Sequence, residues 1–158
     1  MKVTIRKAEA GDVPEMLALV KELAVFEKDP EAVTVTEAEM RDAGFGPNAV
    51  WWGWVAEDTD GMLGMAVCYE RYSTWRGRVG YLEDIVVTQR ARGQGIGEQL
   101  MKVCAEEAAV RKYHHLTWQV LDWNEGAIRF YERLGAEISK EWFNGRLYLE
   151  QLKQLAAQ

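Results

Sequence analysis

Val87-Thr88-Gln89-Arg90-Ala91-Arg92-Gly93-Gln94-Gly95-Ile96-Gly97 runs out of an apolar stretch and into an amphipathic one, and the fold turns on how it is read. Before it, residues 81–87 end in Ile85, Val86 and Val87, a continuous apolar tail that suggests a central strand buried on both faces. After it, Ile96, Leu100, Val103, Cys104, Ala105 and Ala108 share the inner side of a helix. The glycines between permit close backbone approach, so successive N–H groups can face one oxygen-rich anion. With a helix N-terminus behind them they make a pyrophosphate cradle, and Arg90 and Arg92 can add charge at its rim. A loop whose glycines only shape a turn is the plain alternative. Neither common nucleotide loop is present: Gly-Lys-Ser/Thr is missing, and Glu98 stands where the dinucleotide fingerprint needs its third glycine.

Outward from this pivot the chain alternates between helical and strand texture. Val3 and Ile5 suit a short opening strand, and Asp12, with Pro14 and Glu15 after it, starts a helix whose buried face is Met16, Leu19, Val20 and Leu23. Thr36 and Glu39 form a capping box for a second, short helix that stops near Gly44 and Gly46. Trp51, Trp52, Trp54 and Val55 read as a strand, residues 58–61 as a turn and residues 62–69 as the returning strand. A polar turn over residues 73–78 leads back to the central strand. Beyond the glycine loop and its helix, residues 116–120 suit a strand, and Asn124 caps a helix carrying Ile128, Tyr131 and Leu134 that Gly135 ends. Residues 146–149 offer a final strand. The expectation is an α+β fold, a mixed and largely antiparallel sheet of six or seven strands covered by about four helices, in a single domain over residues 1–158.

Composition limits the function. The chain has 158 residues, 48% hydrophobic and 28% charged, the mix of an ordinary globular protein of one-domain size. No apolar run approaches the roughly 18 to 20 residues needed to span a bilayer, and no export signal opens the chain, so no membrane partner is expected. A net charge of −6 without a Lys/Arg stripe argues against nucleic acid and suits a cationic ligand. Cys68 and Cys104 lack a CxxC pair or a His at metal-ligand spacing, which points to buried packing residues, no metal and a reducing cytoplasm. His114 and His115 read as structural or surface residues.

Arg92-x-x-Gly95-x-Gly97 resembles the Arg/Gln-x-x-Gly-x-Gly/Ala signature of the GNAT acetyltransferase superfamily, in sequence and in strand-to-helix placement. Lys21-Glu22-Leu23-Ala24, Gly44-Phe45-Gly46, Tyr72-Ser73-Thr74-Trp75-Arg76-Gly77-Arg78, Tyr81-Leu82-Glu83-Asp84-Ile85 and Leu121-Asp122-Trp123-Asn124 are similar to its diamine acetyltransferase branch, the spermidine/spermine and thialysine enzymes. The resemblance runs from Ile5 to about Glu137. It implies a GNAT fold with central strands splayed at an acetyl-CoA site, acetyl-CoA as cosubstrate, a small cationic amine as acceptor, and a homodimer.

The same resemblance distributes the roles. Arg92, Gly93, Gln94, Gly95, Ile96, Gly97 and Glu98 match the stretch that holds the CoA pyrophosphate. The backbone of Ile85, Val86 and Val87 matches the stretch that pairs with the pantetheine arm and offers an oxyanion-stabilising N–H. Asn124, Gly126 and Ala127 match a second cofactor-contacting stretch, although Asn124 as a plain helix cap also explains itself. Tyr131, in Asn124-x-x-Ala127-x-x-Phe130-Tyr131, matches the proton-donating tyrosine, and a phenol pKa of roughly 10 suits protonation of an alkyl thiolate. Glu83 takes the position of a general base acting through water, with Asp84 beside it for the acceptor's charge. A regular strand would point these two to opposite faces; the bulge that GNAT proteins carry there would change that. Glu27 falls at an acceptor-binding glutamate, with an exposed helix-end residue as its alternative, and Trp75 at an aromatic that can face a cation.

Two features depart from the polyamine enzymes. Trp142-Phe143-Asn144-Gly145-Arg146 does not align cleanly with their Glu/Trp pair, and Ser73 stands where they carry an acid, in agreement with the thialysine-type relatives. A shorter diamine, thialysine or a lysine-like amine is therefore the expected acceptor, by direct attack in a ternary complex. The rival functions are a protein or peptide acetyltransferase, an aminoglycoside-type acetyltransferase, and a non-catalytic acyl-CoA sensor that has no need of Tyr131.

Overall fold

The structure, a computed structural model, describes residues 2–158. The chain divides into two compact units, one running to Gln119 and one from Val120 to Gln158.

In the first unit five strands, β1 (Thr4–Lys7), β2 (Trp52–Asp58), β3 (Gly61–Ser73), β4 (Gly77–Val87) and β5 (Leu116–Thr117), form one sheet in that order. Each pairs antiparallel with its neighbour except β5, which lies parallel to β4. A parallel pair needs a crossover, and here the glycine loop with α3 (Ile96–Val110) supplies it. Helices α1 (Val13–Phe26) and α2 (Glu37–Phe45) join β1 to β2. One core gathers Val13, Met16, Leu17 and Leu19 of α1 and Met40 of α2 with Val55, Met65, Val67 and Val86 of the sheet. On α3 the buried residues are Ile96, Leu100, Met101 and Cys104. Met101 takes a place the helical stripe assigned to Ala105, which is exposed; the longer side chain gains more from burial. Cys104 Sγ lies 3.7 Å from Cys68 Sγ on β3, both thiols free and buried.

Several local expectations hold. Thr36 and Glu39 form the reciprocal capping box, Glu39 N–H donating to Thr36 Oγ1 at 3.2 Å and Thr36 N–H to Glu39 Oε2 at 2.8 Å. The β2–β3 turn is closed by Asp60 N–H donating to Asp58 Oδ1 at 2.8 Å, with Gly61 at φ +118°.

Others are corrected. Trp51 precedes the strand and serves α2 instead: its indole donates to the Met40 carbonyl at 3.2 Å and meets Phe45 edge-on at 5.2 Å. Asp12 stands at the N-cap of α1 without capping it through its side chain. Its carboxylate accepts two bonds from Arg6, at 2.7 and 2.9 Å, and one from Glu9 N–H at 2.7 Å. Arg6 also donates to both oxygens of Glu57, at 2.9 and 2.8 Å, so one guanidinium ties β1 to β2 and to the entry of α1. Glu15, expected as a capping partner, accepts instead from Met62 N–H at 3.1 Å.

In the second unit α4 (Glu125–Arg133) is capped by Asn124, whose side-chain oxygen accepts from Ala127 N–H at 3.2 Å. Gly135, at φ +85°, ends the turn that follows. The expected strand over 146–149 is absent: the chain carries no regular structure before α5 (Leu149–Ala156). A four-residue alternation is a weaker signal than Leu149, Leu152 and Leu155 recurring at helical spacing. With that strand missing, the described residues form five strands rather than six or seven, beside five α-helices where about four were expected, and β5 stops at Thr117 instead of reaching Val120. Among the described residues no helix is long and apolar enough to cross a membrane.

The Asp12 carboxyl is held below its usual range, first by the hydrogen bonds from Arg6. A depressed carboxyl contributes stability that is full above its unfolded value and lost as pH falls through the folded one. Asp12→Ala should therefore cost about 1–3 kcal/mol at pH 7. The difference between wild type and variant should begin to shrink below about pH 4, where the unfolded carboxyl protonates, and close as pH falls further through the depressed folded value. Urea melts at pH 7 and pH 3 check this.

Candidate active site

The site in the first unit is built around an irregularity in β4. Val67 pairs with Asp84, but the next residue, Cys68, pairs with Leu82, so Glu83 is an extra residue in the ladder. This bulge puts Asp84 in register with Val67, on the same face as Tyr69 and Tyr81, which also pair directly. A regular strand would have turned Asp84 away. The bulge expected by resemblance is present, and it lets two consecutive carboxylates serve one side of the sheet.

Glu27 joins them from the last turn of α1, where it is the C-cap. It is half-buried rather than exposed, and burial pushes its carboxyl up. Burial, then Glu83 and Glu27, push the Asp84 carboxyl up to about 6. The expected trio of acids is thus close enough for Asp84 to feel both partners. Tyr69 and Tyr81 stack with ring centroids 4.9 Å apart. Burial and the Glu83 carboxylate push the Tyr69 phenol up to about 12. Half-buried Glu27 and Asp84 with exposed Glu83, beside an aromatic face, are chemically suited to an organic cation. Trp75 is elsewhere: it lies in the β3–β4 turn, 86% exposed, its N–H held by Ser73 Oγ at 3.2 Å.

Beyond Tyr81 the edge of β4 loses its parallel neighbour, because only Gly80 and Tyr81 pair with β5. The stretch Ile85, Val86 and Val87 continues past that point, paired to β3 on its other side. The chain then turns through residues 89–91 into the glycine loop. Gly93 and Gly95 both adopt φ +75°, a backbone region that L side chains rarely enter. An added Cβ at either would meet nothing within 4 Å, so backbone conformation rather than crowding requires glycine here. Gly95 is the N-cap of α3 and no side chain caps the helix. Among the described residues no acceptor serves the N–H groups of Ile96, Gly97 and Glu98, the first turn of α3. These donors and the helix dipole fit an anion such as a pyrophosphate.

What holds this loop was not read from the sequence. Glu22 of α1 accepts from Thr88 Oγ1 and from Gln89 N–H, both at 3.0 Å, and lies 3.9 Å from Arg92. Arg92 itself donates to the Val87 carbonyl at 3.1 Å and lies over Phe26 at 5.4 Å. Arg90 approaches Asp58 at 3.7 Å. Both arginines expected at the rim are therefore also internal ties, and each stays about half exposed. Gln94 reaches back to the Arg90 carbonyl at 3.4 Å.

In the second unit Asn124 is used as a helix cap, Gly126 and Ala127 follow in the first turn of α4, and Tyr131 is its one buried residue. His114 and His115 precede β5, their Nδ1 atoms 2.9 Å apart. No group of three or more His, Cys, Asp or Glu suited to a metal ion occurs among the described residues.

Residues 15–136 match the acetyltransferase (GNAT) family. The chain is 39% identical over 165 residues to a thialysine N-epsilon-acetyltransferase of Sus scrofa, covering 98% of this chain and 97% of that one. It is 37% identical over 162 residues to a spermidine/spermine N(1)-acetyltransferase-like protein 1 of Homo sapiens, covering 96% of this chain and 23% of that longer one. Among solved structures, an integron cassette protein from the mobile metagenome of V. cholerae superposes with a TM-score of 0.80 at 24% identity, covering 100% and 99% of the two chains.

The raised Asp84 carboxyl has a kinetic consequence. For a cationic acceptor, kcat/KM should rise with pH through a limb near 6 as Asp84 ionises, and Asp84→Asn should remove that limb while lowering kcat/KM at least tenfold. Pre-steady-state and steady-state rates between pH 5 and 8 measure it.

Proposed function

This chain belongs to the acetyltransferase (GNAT) family and is an N-acetyltransferase that uses acetyl-CoA; we propose that its acceptor is the primary amine of a small lysine-like or diamine molecule, thialysine among them. The observation that carries this reading is the grouping of Glu27, Glu83 and Asp84 beside stacked Tyr69 and Tyr81, brought about by the bulge in β4. The name of the Sus scrofa relative supports it. A family match that runs across Gln119 supports the proposal that residues 1–158 act as one acetyltransferase domain. We extend the proposal to a homodimer in a reducing cytoplasm, where the free thiols of Cys68 and Cys104 suit the compartment.

Acetyl-CoA supplies an acyl group activated as a thioester. The uncapped N–H groups of Ile96, Gly97 and Glu98, with Gly93, Gln94, Gly95 and Arg92, would hold its pyrophosphate. The unpaired edge of β4 along Ile85, Val86 and Val87 would carry its pantetheine arm, and Asn124, Gly126 and Ala127 are a second proposed contact. The ionised acids draw in the acceptor ammonium, and Glu83 takes its proton through water, so that a neutral nitrogen attacks. As the N–C bond forms and the C–S bond breaks, the nitrogen releases its second proton to water and the departing thiolate takes one from an acid. Tyr131 is the proposed donor, a role resting on its motif and on its burial in α4.

Tyr131→Phe should leave acetyl-CoA affinity nearly unchanged while lowering turnover at least tenfold, about 1.4 kcal/mol of barrier. Thiol release from acetyl-CoA, run with thialysine, lysine, short diamines, spermidine, an aminoglycoside and a lysine peptide against a blank, reads both the variant and the acceptor class. Turnover with the peptide alone would overturn the small-amine reading.

A further inference from the structure

The acidic group occupies only one end of its sheet face. Along β3, residues 67, 69 and 71 alternate onto the face that Asp84 joins by pairing with Val67. Arg71 is thus four residues beyond the level of Asp84, about 13 Å along the strand at ~3.3 Å per residue. Tyr69 and Tyr81 lie between the two. Arg71 is exposed, and its guanidinium lies over the Tyr81 ring, 6.0 Å from the centroid. Unlike Arg6, Arg78, Arg90, Arg92, Arg111 and Arg129, it forms no ion pair with a carboxylate among the described residues.

Its other neighbours reinforce the positive sign. Burial first, then His114, Arg71 and Arg76, lower the His115 pKa, so two fixed cations, Arg71 and Arg76, lie within electrostatic reach of this end of the face. Arg71 also draws down the Tyr69 phenol against the pull of Glu83, which puts the guanidinium within electrostatic reach of the same aromatic pair that Glu83 reaches from the opposite side. One face therefore carries acids at one end, stacked aromatic rings in the middle and an unclaimed guanidinium at the other. A diamine presents two positive ends and would set one of them against Arg71. A lysine-type amino acid presents its ω-ammonium at one end and, at the other, an α-carboxylate that offsets the charge of the α-ammonium beside it, and a guanidinium is the side chain whose donor fork matches that carboxylate.

We propose that Arg71 anchors the carboxylate of an amino-acid acceptor, so that the site selects an ω-amino acid of lysine type over the diamine that lacks the carboxylate. This rests on the small-amine reading above and sharpens it. The stacked tyrosines hold the aliphatic middle of such an acceptor, and the acids receive the amine to be acetylated.

The test uses two matched pairs, lysine with its decarboxylated diamine and thialysine with its own, on wild type, Arg71→Met and Arg71→Lys. Wild type should prefer each amino acid. Arg71→Met should raise KM for the amino acids at least tenfold with little change in kcat, leave the diamines as good or better, and leave the KM for acetyl-CoA unchanged. Arg71→Lys, which keeps the charge, should restore part of the loss. Equal loss on amino acids and diamines, or no loss on either, would overturn the role. Calorimetric titration of lysine into wild type and Arg71→Met reads the anchor without turnover: binding of equal strength overturns it, even if no amine of the panel is acetylated. Silence of wild type on all four amines strikes the acceptor reading instead.

Discussion

A single surplus residue in β4 governs what the first unit can do. Because Glu83 has no counterpart across the ladder, every residue after it in β4 is turned relative to a regular strand. Asp84 comes to the face of Tyr69 and Tyr81, while Val86 lands in the core with Met65 and Val67. The acids and the core contacts of one strand thus depend on the same break in alternation. Removing it would set a charged carboxylate against the α3 side and withdraw Val86 from its core, a cost that apolar packing on both sides imposes on any straightening. The bulge is therefore held by burial as well as by hydrogen bonding.

The two halves of the site share one helix. The C-terminal turn of α1 presents Glu27 to the acids, and five residues earlier Glu22 accepts from Thr88 and Gln89 at the head of the glycine loop. Burial of Met16, Leu17 and Leu19 fixes where that helix lies on the sheet. Position of the loop and position of the acids are consequently linked through a rigid element rather than through contacts with one another. This is a common way for a fold to place groups with precision: functional atoms on short connections, their anchors on a packed helix.

The glycine loop was the part most legible in the sequence, because its requirements are local. Gly93 and Gly95 occupy a backbone region closed to other residues, and the amphipathic stripe from Ile96 to Cys104 announces the helix behind them. The caps at Thr36 and Asn124 were legible for the same reason. The bulge was not: residues 81–87 alternate nowhere clearly, and register is decided by β3, so only the resemblance pointed to it. Glu22 is 66 residues from Thr88, and nothing in its own neighbourhood reveals the pairing. Asp12 satisfied the pattern of a helix cap yet was claimed by Arg6, a competition that only the assembled sheet sets up. Residues 146–149 showed that a short alternation cannot by itself separate a strand from the approach to a helix.

The paired thiols of Cys68 and Cys104 make the protein its own reporter of opening. Both are buried, between β3 and α3, and the contact between them, with burial, holds the Cys68 thiol well above its usual range. An alkylating reagent, which needs the thiolate and physical access, can modify them only in molecules where α3 has lifted from the sheet or the unit has unfolded. The labelling rate of two native side chains therefore measures how often the helix behind the glycine loop leaves its seat, with no probe to be introduced.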